Sequence, residues 1–300
     1  MIVQIENLYK TFGHHDALVG LNLAVPEGSA FALIGANGAG KTTTIKVLMN
    51  ILRPSRGTAR VIGVDSRKLS HRELAQIGYV SENQEMPSRM SVGAYLDYMR
   101  PFYPTWDRGL ERSVLAQLRL PVARRIRDLS HGMRLKMALA CALPFRPKLL
   151  ILDEPFSGLD PLVREEFMER LLQQAGEMTI LISSHELGEI EGVATHVCFI
   201  EQGRPLFQES TAELNERSRD VRVTLDRATE LPDPLPEGWI QVRAVGNVLS
   251  FVDTQFADQR LADQLNSLLR GVRQIDVQPI GLRALFVALA RAAQDRGGPA

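Results

Sequence analysis

Three hundred residues with 45% hydrophobic content suffice for one large domain or for a medium domain with a smaller companion. The 35 acidic and 35 basic side chains balance, so no global field draws the chain to nucleic acid or to anionic lipid. No apolar run approaches the roughly 20 residues that cross a bilayer, and the start, MIVQIENLYK, lacks the basic head and long apolar centre of a signal peptide. Cys141 and Cys198 lie far apart among apolar neighbours, as small buried hydrophobes do, and the whole predicts a soluble chain in a reducing compartment.

In chain order, MIVQIENLYK alternates apolar and polar residues as a strand does. Phe31-Ala32-Leu33-Ile34 is a second strand, and it runs into Gly35-Ala36-Asn37-Gly38-Ala39-Gly40-Lys41-Thr42-Thr43, after which TTTIKVLMNIL reads as a helix. Strand-like and helix-like stretches then alternate to about residue 210, the pattern of an α/β core with parallel strands. Between Glu82 and residue 130, MPSRMSVGAYLDYMRPFYPTWD gathers Tyr95, Tyr98, Phe102, Tyr103 and Trp106, enough for the core of a small helical subdomain over about 84–146. The basic cluster Arg124, Arg125 and Arg127 reads as a solvated face.

The character changes after Leu214. A charged stretch leads to the alternating VRVTL and then to LPDPLPEG, where prolines fix φ and remove donors, so this segment connects. Beyond it, WIQVRAVGNVLSFVD reads as a hairpin, RLADQLNSLLRGV as a helix, RQIDVQP as a strand and GLRALFVALARAAQ as an amphipathic closing helix. The expected division is a first domain over 1–216 and a small α/β domain over 217–300 with a disordered tail, DRGGPA.

Gly35 to Thr42 fits G-x-x-x-x-G-K-[ST] between a strand and a helix, the context a phosphate loop requires. Glycines let successive amides turn toward an anion and the helix adds its positive end; Lys41 reaches outer phosphates and the Thr42 hydroxyl suits Mg²⁺. Kinases, GTPases and motor ATPases all share such a loop, so KLLILDEP at 148–155 carries more information. It is a buried-strand run ending in two carboxylates, costly unless a cation or substrate uses them. Asp153 is placed to hold magnesium through its water shell, and Glu154 to polarise the water that attacks a γ-phosphate.

From about residue 2 to 215 the sequence resembles the ATP-binding subunits of ABC transporters. Leu129-Ser130-His131-Gly132-Met133 stands where the family's signature usually reads LSGGQ, Ser157-Gly158-Leu159-Asp160 resembles its D-loop, and ILISSHE places His185 at its switch position. The resemblance implies a P-loop core with an antiparallel β subdomain and a helical subdomain. It implies that two such chains pack head to tail, as a homodimer or a heterodimer, with Ser130 and Gly132 of one meeting the γ-phosphate bound by the other and Asp160 at the junction. It makes Glu154 and His185 catalytic, the loop Gly35 to Thr43 the ATP cradle, and Phe12 the adenine-stacking aromatic, with Tyr9 second. Thr42 and Asp153 become metal ligands, and Glu82 joins them where the family has a glutamine, with Gln84 two residues on. The aromatic region would receive a cytoplasmic helix of a separate permease, placing the chain on the cytoplasmic face of a membrane, with no nucleic-acid partner. The C-terminal unit resembles the tails of ABC-2 type exporters. A non-transport ABC ATPase of translation, repair or chromosome organisation is the alternative, against which stand the single ATP cassette and the lack of sustained heptads between Lys41 and Ser130.

Overall fold

β1 (Val3–Phe12) and β2 (His15–Val25) pair antiparallel from Val3↔Val25 to Phe12↔His15, and the turn between them uses Gly13 at φ +58°. β3 (Ala30–Ile34) belongs to a different sheet. β4 (Arg56–Val61) pairs antiparallel with β1 and β5 (Val64–Asp65) with β4, giving a four-stranded sheet in the order β2-β1-β4-β5. In the computed structural model the chain divides into two units, Met1–Gln208 and Glu209–Ala300. The structure describes residues 1–296 apart from 83, 158, 161–163, 166, 170, 172–177, 229, 230, 232 and 233, and side chains as far as 292.

The second sheet of the first unit holds six strands in the order β10-β9-β3-β8-β7-β6, with β6 Ile77–Ser81, β7 Leu149–Asp153, β8 Thr179–Ser184, β9 His196–Glu201 and β10 Arg204–Ser210. Every residue of β3, β7 and β8 is buried, as expected of strands covered on both faces, which is why their sequences are apolar runs without alternation. Pairing is parallel across β9, β3, β8, β7 and β6. The register aligns Ser81 with Asp153, Asp153 with Ser183 and Ile34 with Ser184. The segments that follow β3, β6, β7 and β8 therefore emerge side by side at one edge, where ligands bind in open α/β sheets. A core cluster containing Leu8, Leu21, Phe31, Leu33, Ile45, Val61, Ile151 and Leu181 packs the two sheets and the helix α1 (Lys41–Leu48) together.

After the four-residue helix α2 (His71–Leu74) come α3 (Val92–Met99), α4 (Arg108–Gln117) and α5 (His131–Ala142), each begun by a side-chain cap: Ser91 accepts from the Ala94 amide, Asp107 from those of Gly109 and Leu110, and Ser130 from that of Met133. Glu111, buried, receives both Arg100 nitrogens at 2.7 Å and the Trp106 indole at 2.6 Å. Tyr103 stacks on Phe145 with ring centroids 4.0 Å apart, and Tyr95 is buried. Tyr98 and Phe102 differ: they meet edge to face yet are 55% and 59% exposed. Cys141 and Cys198 are buried free thiols, each pushed up to about 12 by burial.

The second unit is built on an antiparallel sheet ordered β12-β13-β11-β14, from β11 (Arg219–Leu225), β12 (Trp239–Val245), β13 (Val248–Asp253) and β14 (Val272–Pro279). Val221, Val223, Leu249, Phe251 and Trp239 form its core with Leu261 and Leu265 of the helix Asp258–Leu268. The closing helix Leu282–Arg296 runs two residues into the segment expected to be disordered, and residues 297–300 lie outside the described residues. No helix among the described residues is long and apolar enough to cross a membrane.

Candidate active site

The loop after β3 is shaped by what surrounds its glycines. A Cβ on Gly35 would stand 2.2 Å from the Ile200 carbonyl, so only glycine lets the loop leave the sheet there. Gly40, at φ +108°, is the last residue before α1 and would strike the Ala17 carbonyl at 2.7 Å with any side chain. The Thr44 amide bonds to the Gly40 carbonyl at 2.9 Å, closing the first turn of the helix directly after the loop.

Lys41 is buried. Its ammonium donates to the carbonyls of Gly35 (2.6 Å) and Ala36 (3.0 Å) and lies 2.9 Å from Glu154 Oε1. Asp153, the last residue of β7, is 3% exposed; its Oδ1 accepts from the Thr42 hydroxyl at 3.1 Å and from the Ser183 hydroxyl at 2.8 Å. Burial raises the Asp153 pKa above the ordinary carboxylate value, with the two hydroxyl bonds opposing it and the neighbouring Glu154 charge adding to it. Such a carboxylate is ready to gain from a divalent cation, and the oxygens of Thr42 and Asp153 are the hard donors that Mg²⁺ prefers.

Glu154 turns out of the strand at φ +50°, a left-handed conformation that costs a non-glycine residue about 1 kcal/mol or more. Its amide donates to Ser183 Oγ at 2.9 Å, which fixes the turn. The carboxylate is thereby presented to Lys41 on one side and, through Oε2, to His185 Nδ1 at 2.8 Å on the other. The Glu154 bond, first among the causes, raises the His185 pKa above its usual 6.5. Glu154, His185 and Glu189 bring their ligand atoms within 4.8 Å of one another, and Lys41 and Arg164 supply the positive charge around them.

Lys41, Thr42, Asp153 and Glu154 line a cleft of about 520 Å³ together with Phe12, His15, Asn37, Gly38, Thr43, Lys46, Tyr79, Glu82 and Gln84, and His185 stands beside it, bonded to Glu154. Phe12 is 44% exposed there with the Lys10 ammonium 4.8 Å from its ring, whereas the Tyr9 hydroxyl lies against Gly20. Glu82 is exposed; its amide donates to the Asp153 carbonyl at 3.2 Å, so the chain turns directly above the buried acid. Gln84 is half-buried, and its Oε1 is fully covered with no hydrogen-bond partner. Ser183 escaped the sequence reading although it touches both acids; the signal was the serine pair before His185, meaningless until β7 and β8 are in register.

Ser130 and Gly132 are elsewhere. Ser130 caps α5 and is exposed, Gly132 follows in the first turn, and neither lines the cleft. His131 Nε2 lies 3.0 Å from the Ser157 carbonyl, a bond that glycine at this position could not make. Gly158 lies outside the described residues; Asp160 is exposed and its carbonyl accepts the Arg164 amide at 3.1 Å.

The model of the ABC transporter family matches residues 18–157, from the second strand through the acid pair. The chain is 30% identical over 267 residues to an uncharacterized ABC transporter ATP-binding protein, YxlF of Bacillus subtilis (strain 168), covering 87% of each chain. It belongs to the ATP-binding subunits of ABC transporters. It is also 34% identical to the Nod factor export ATP-binding protein I of Cupriavidus metallidurans, over 71% of this chain and 72% of that one, and 36% identical to the lantibiotic transport ATP-binding protein SrtF of Streptococcus pyogenes, over 69% and 90%. Among solved structures, an ATP-binding subunit of an ABC transporter superposes with a TM-score of 0.65 at 27% identity, over 72% of this chain and 92% of that one. The chain is thus an ABC transporter ATPase with the fold its motifs implied. ATP-binding subunits of this family dimerise and pair with permeases.

Proposed function

We propose that this chain hydrolyses ATP in the cleft between Phe12 and Glu154, as half of a homodimer or of a heterodimer with a related chain, and drives export through a permease on a separate chain at the cytoplasmic face of a membrane. The observation that carries the reading is the strained Glu154, held between Lys41 at 2.9 Å and His185 at 2.8 Å beside the buried Asp153. Lys41, the amides of Gly38 to Thr43 and the start of α1 bind the phosphates, and Phe12 stacks on the adenine. Glu154 takes the proton of the attacking water, and His185 steadies that carboxylate and faces the γ-phosphate. Thr42 and Asp153 would hold Mg²⁺, joined by Glu82 or by the covered, unpaired Oε1 of Gln84; when bound, the ion neutralises phosphate charge.

The exposed Ser130 and the half-buried Gly132, absent from the lining of their own cleft, support a role at the cleft of a second chain, with Asp160 at the junction. The exposed pair Tyr98 and Phe102 supports a permease contact, since two large aromatics left in solvent are what protein contacts use. The Nod factor export and lantibiotic transport of the relatives favour export over a non-transport ATPase. Every residue lining the cleft lies in the first unit, so the second is accessory to the chemistry. Two measurements test the reading together. Glu154→Gln should retain ATP binding and lose turnover, and affinity purification from detergent-solubilised membranes should recover a polytopic membrane protein. Wild-type turnover by Glu154→Gln would remove the catalytic assignment, and absence of any membrane protein would remove the transport one.

A further inference from the structure

The mechanism above uses His185 but leaves the residues behind it without a task. Ser184 to Glu189 form one tight corner after β8: the Glu186 amide donates to Ser184 Oγ at 2.9 Å, the Glu189 amide to the Glu186 carbonyl at 3.2 Å, and the Ser184 hydroxyl to the Glu189 carboxylate. Glu189 is 4% exposed at its side chain. A carboxylate buried to that degree needs a cation or a proton. Arg164 stands 3.8 Å from Glu189 Oε1 and 3.9 Å from Glu186 Oε2, itself only 18% exposed, and its Nε is covered and unpaired. The same arginine binds backward through its amide to the carbonyl of Asp160. Arg164 thus joins the loop that carries Asp160, through its backbone amide, to the corner that carries His185, through its guanidinium.

We propose that Glu189 and Arg164 are positioning residues for His185, an ion pair that sets the switch histidine against Glu154 and makes its placement depend on the position of the Asp160 loop. The inference rests on the ATPase reading of the cleft. Its physical basis is that a covered carboxylate and a mostly covered guanidinium lie 3.8 Å apart with few other charged partners, so a shift of one disturbs the other. Glu189 touches no phosphate in this account; it holds the corner whose second residue is His185. Burial holds its pKa above the ordinary range, opposed first by the Ser184 hydrogen bond and then by the Arg164 charge.

Glu189→Gln keeps the shape and removes the charge, and Arg164→Met removes the cation from the more exposed side. Each should lower kcat at least tenfold while KM for ATP and the equilibrium affinity for ATP stay within about twofold, because the phosphate loop is untouched. Combined, they should lose little more than either alone, since the pair is broken once. Arg164→Lys, which keeps the charge, should recover part of kcat. A purely structural role would instead lower the melting temperature and ATP affinity together and give additive losses. Should Glu189→Gln fail to fold, Arg164→Met and Arg164→Lys give the same reading. Wild-type kcat in either folded variant, or additive losses, overturns the proposal. Failure of the underlying ATPase reading looks different, because wild-type protein would then hydrolyse no ATP or Glu154→Gln would hydrolyse it normally.

Discussion

In the proposed function the cleft around Lys41 and the signature around Ser130 serve the same phosphate chemistry, yet the structure treats them oppositely. In the cleft, Lys41 and Asp153 are buried and Glu154 is mostly covered, while the more exposed His185 beside it is tied to Glu154, and each has a side-chain partner on another element. At the signature, Ser130 and His131 stand in solvent; Ser130 does no more than cap its own helix, and His131 ties that helix to the Ser157 carbonyl. A group that must act the moment ATP binds is pre-organised in the fold. A group proposed to act on another chain's ATP is left exposed on a helix start, a backbone feature that offers amides to an anion without a pocket. The contrast fits the proposal that each chain carries a binding cleft and a separate closing surface.

The largest effect should come from the cleft. Lys41→Ala removes the buried ammonium and leaves Glu154 without its cation, and ATP affinity should fall on the order of a hundredfold by equilibrium binding, since charge-assisted bonds to the phosphates are lost. Retained affinity would mean that the loop amides alone bind the triphosphate. Ser130→Arg should do the reverse: ATP binding unchanged, turnover reduced at least tenfold, and a stability loss of about 1 kcal/mol from the missing cap. A fall in ATP affinity equal to that of Lys41→Ala would place Ser130 at its own cleft and dissolve the contrast.

Much of the cleft was legible because its residues are contiguous in sequence. The strand, the glycine loop and the helix fix Gly35 to Thr43 in one stroke, and the apolar run before Asp153 and Glu154 buries the first acid and ejects the second. What could not be read depends on register. Ser183 reaches Asp153 only because β7 and β8 align these two residues, and Glu189 meets His185 only through the corner made by Ser184. The aromatic cluster was legible as composition, but which rings are covered follows from packing: Tyr95 faces the core while Tyr98 and Phe102 do not. In the second unit the hairpin was visible from its alternation, and the placement of β11 between β13 and β14 was not, since period-2 patterns give faces and no neighbours.

A smaller effect sharpens the metal side of the cleft. Gln84 has a covered, partnerless carbonyl oxygen and Glu82 is exposed, so the structure favours Gln84. Gln84→Ala should raise the Mg²⁺ concentration for half-maximal ATPase activity severalfold, and Glu82→Gln should shift it less. The opposite ranking would give the ligand role to Glu82. Smaller still is the titration of His185. Its pKa is raised by Glu154, so the charged pair is fully formed below the unfolded value of 6.5 and is lost as pH rises through the higher native value. In Glu154→Gln the ring should titrate at lower pH than in wild type, a shift readable from the imidazole protons by NMR; an unmoved titration would separate His185 from Glu154.

The separation of cleft and closing surface is tested most directly by mixing two inactive proteins. Lys41→Ala keeps an intact signature and Ser130→Arg keeps an intact cleft, so neither homodimer has a complete site, whereas a mixed dimer has one. ATPase activity measured on an equimolar mixture should rise well above that of either variant alone and should grow with total protein concentration, because the active species is a dimer. A mixture as inactive as its components at every concentration would contradict the account.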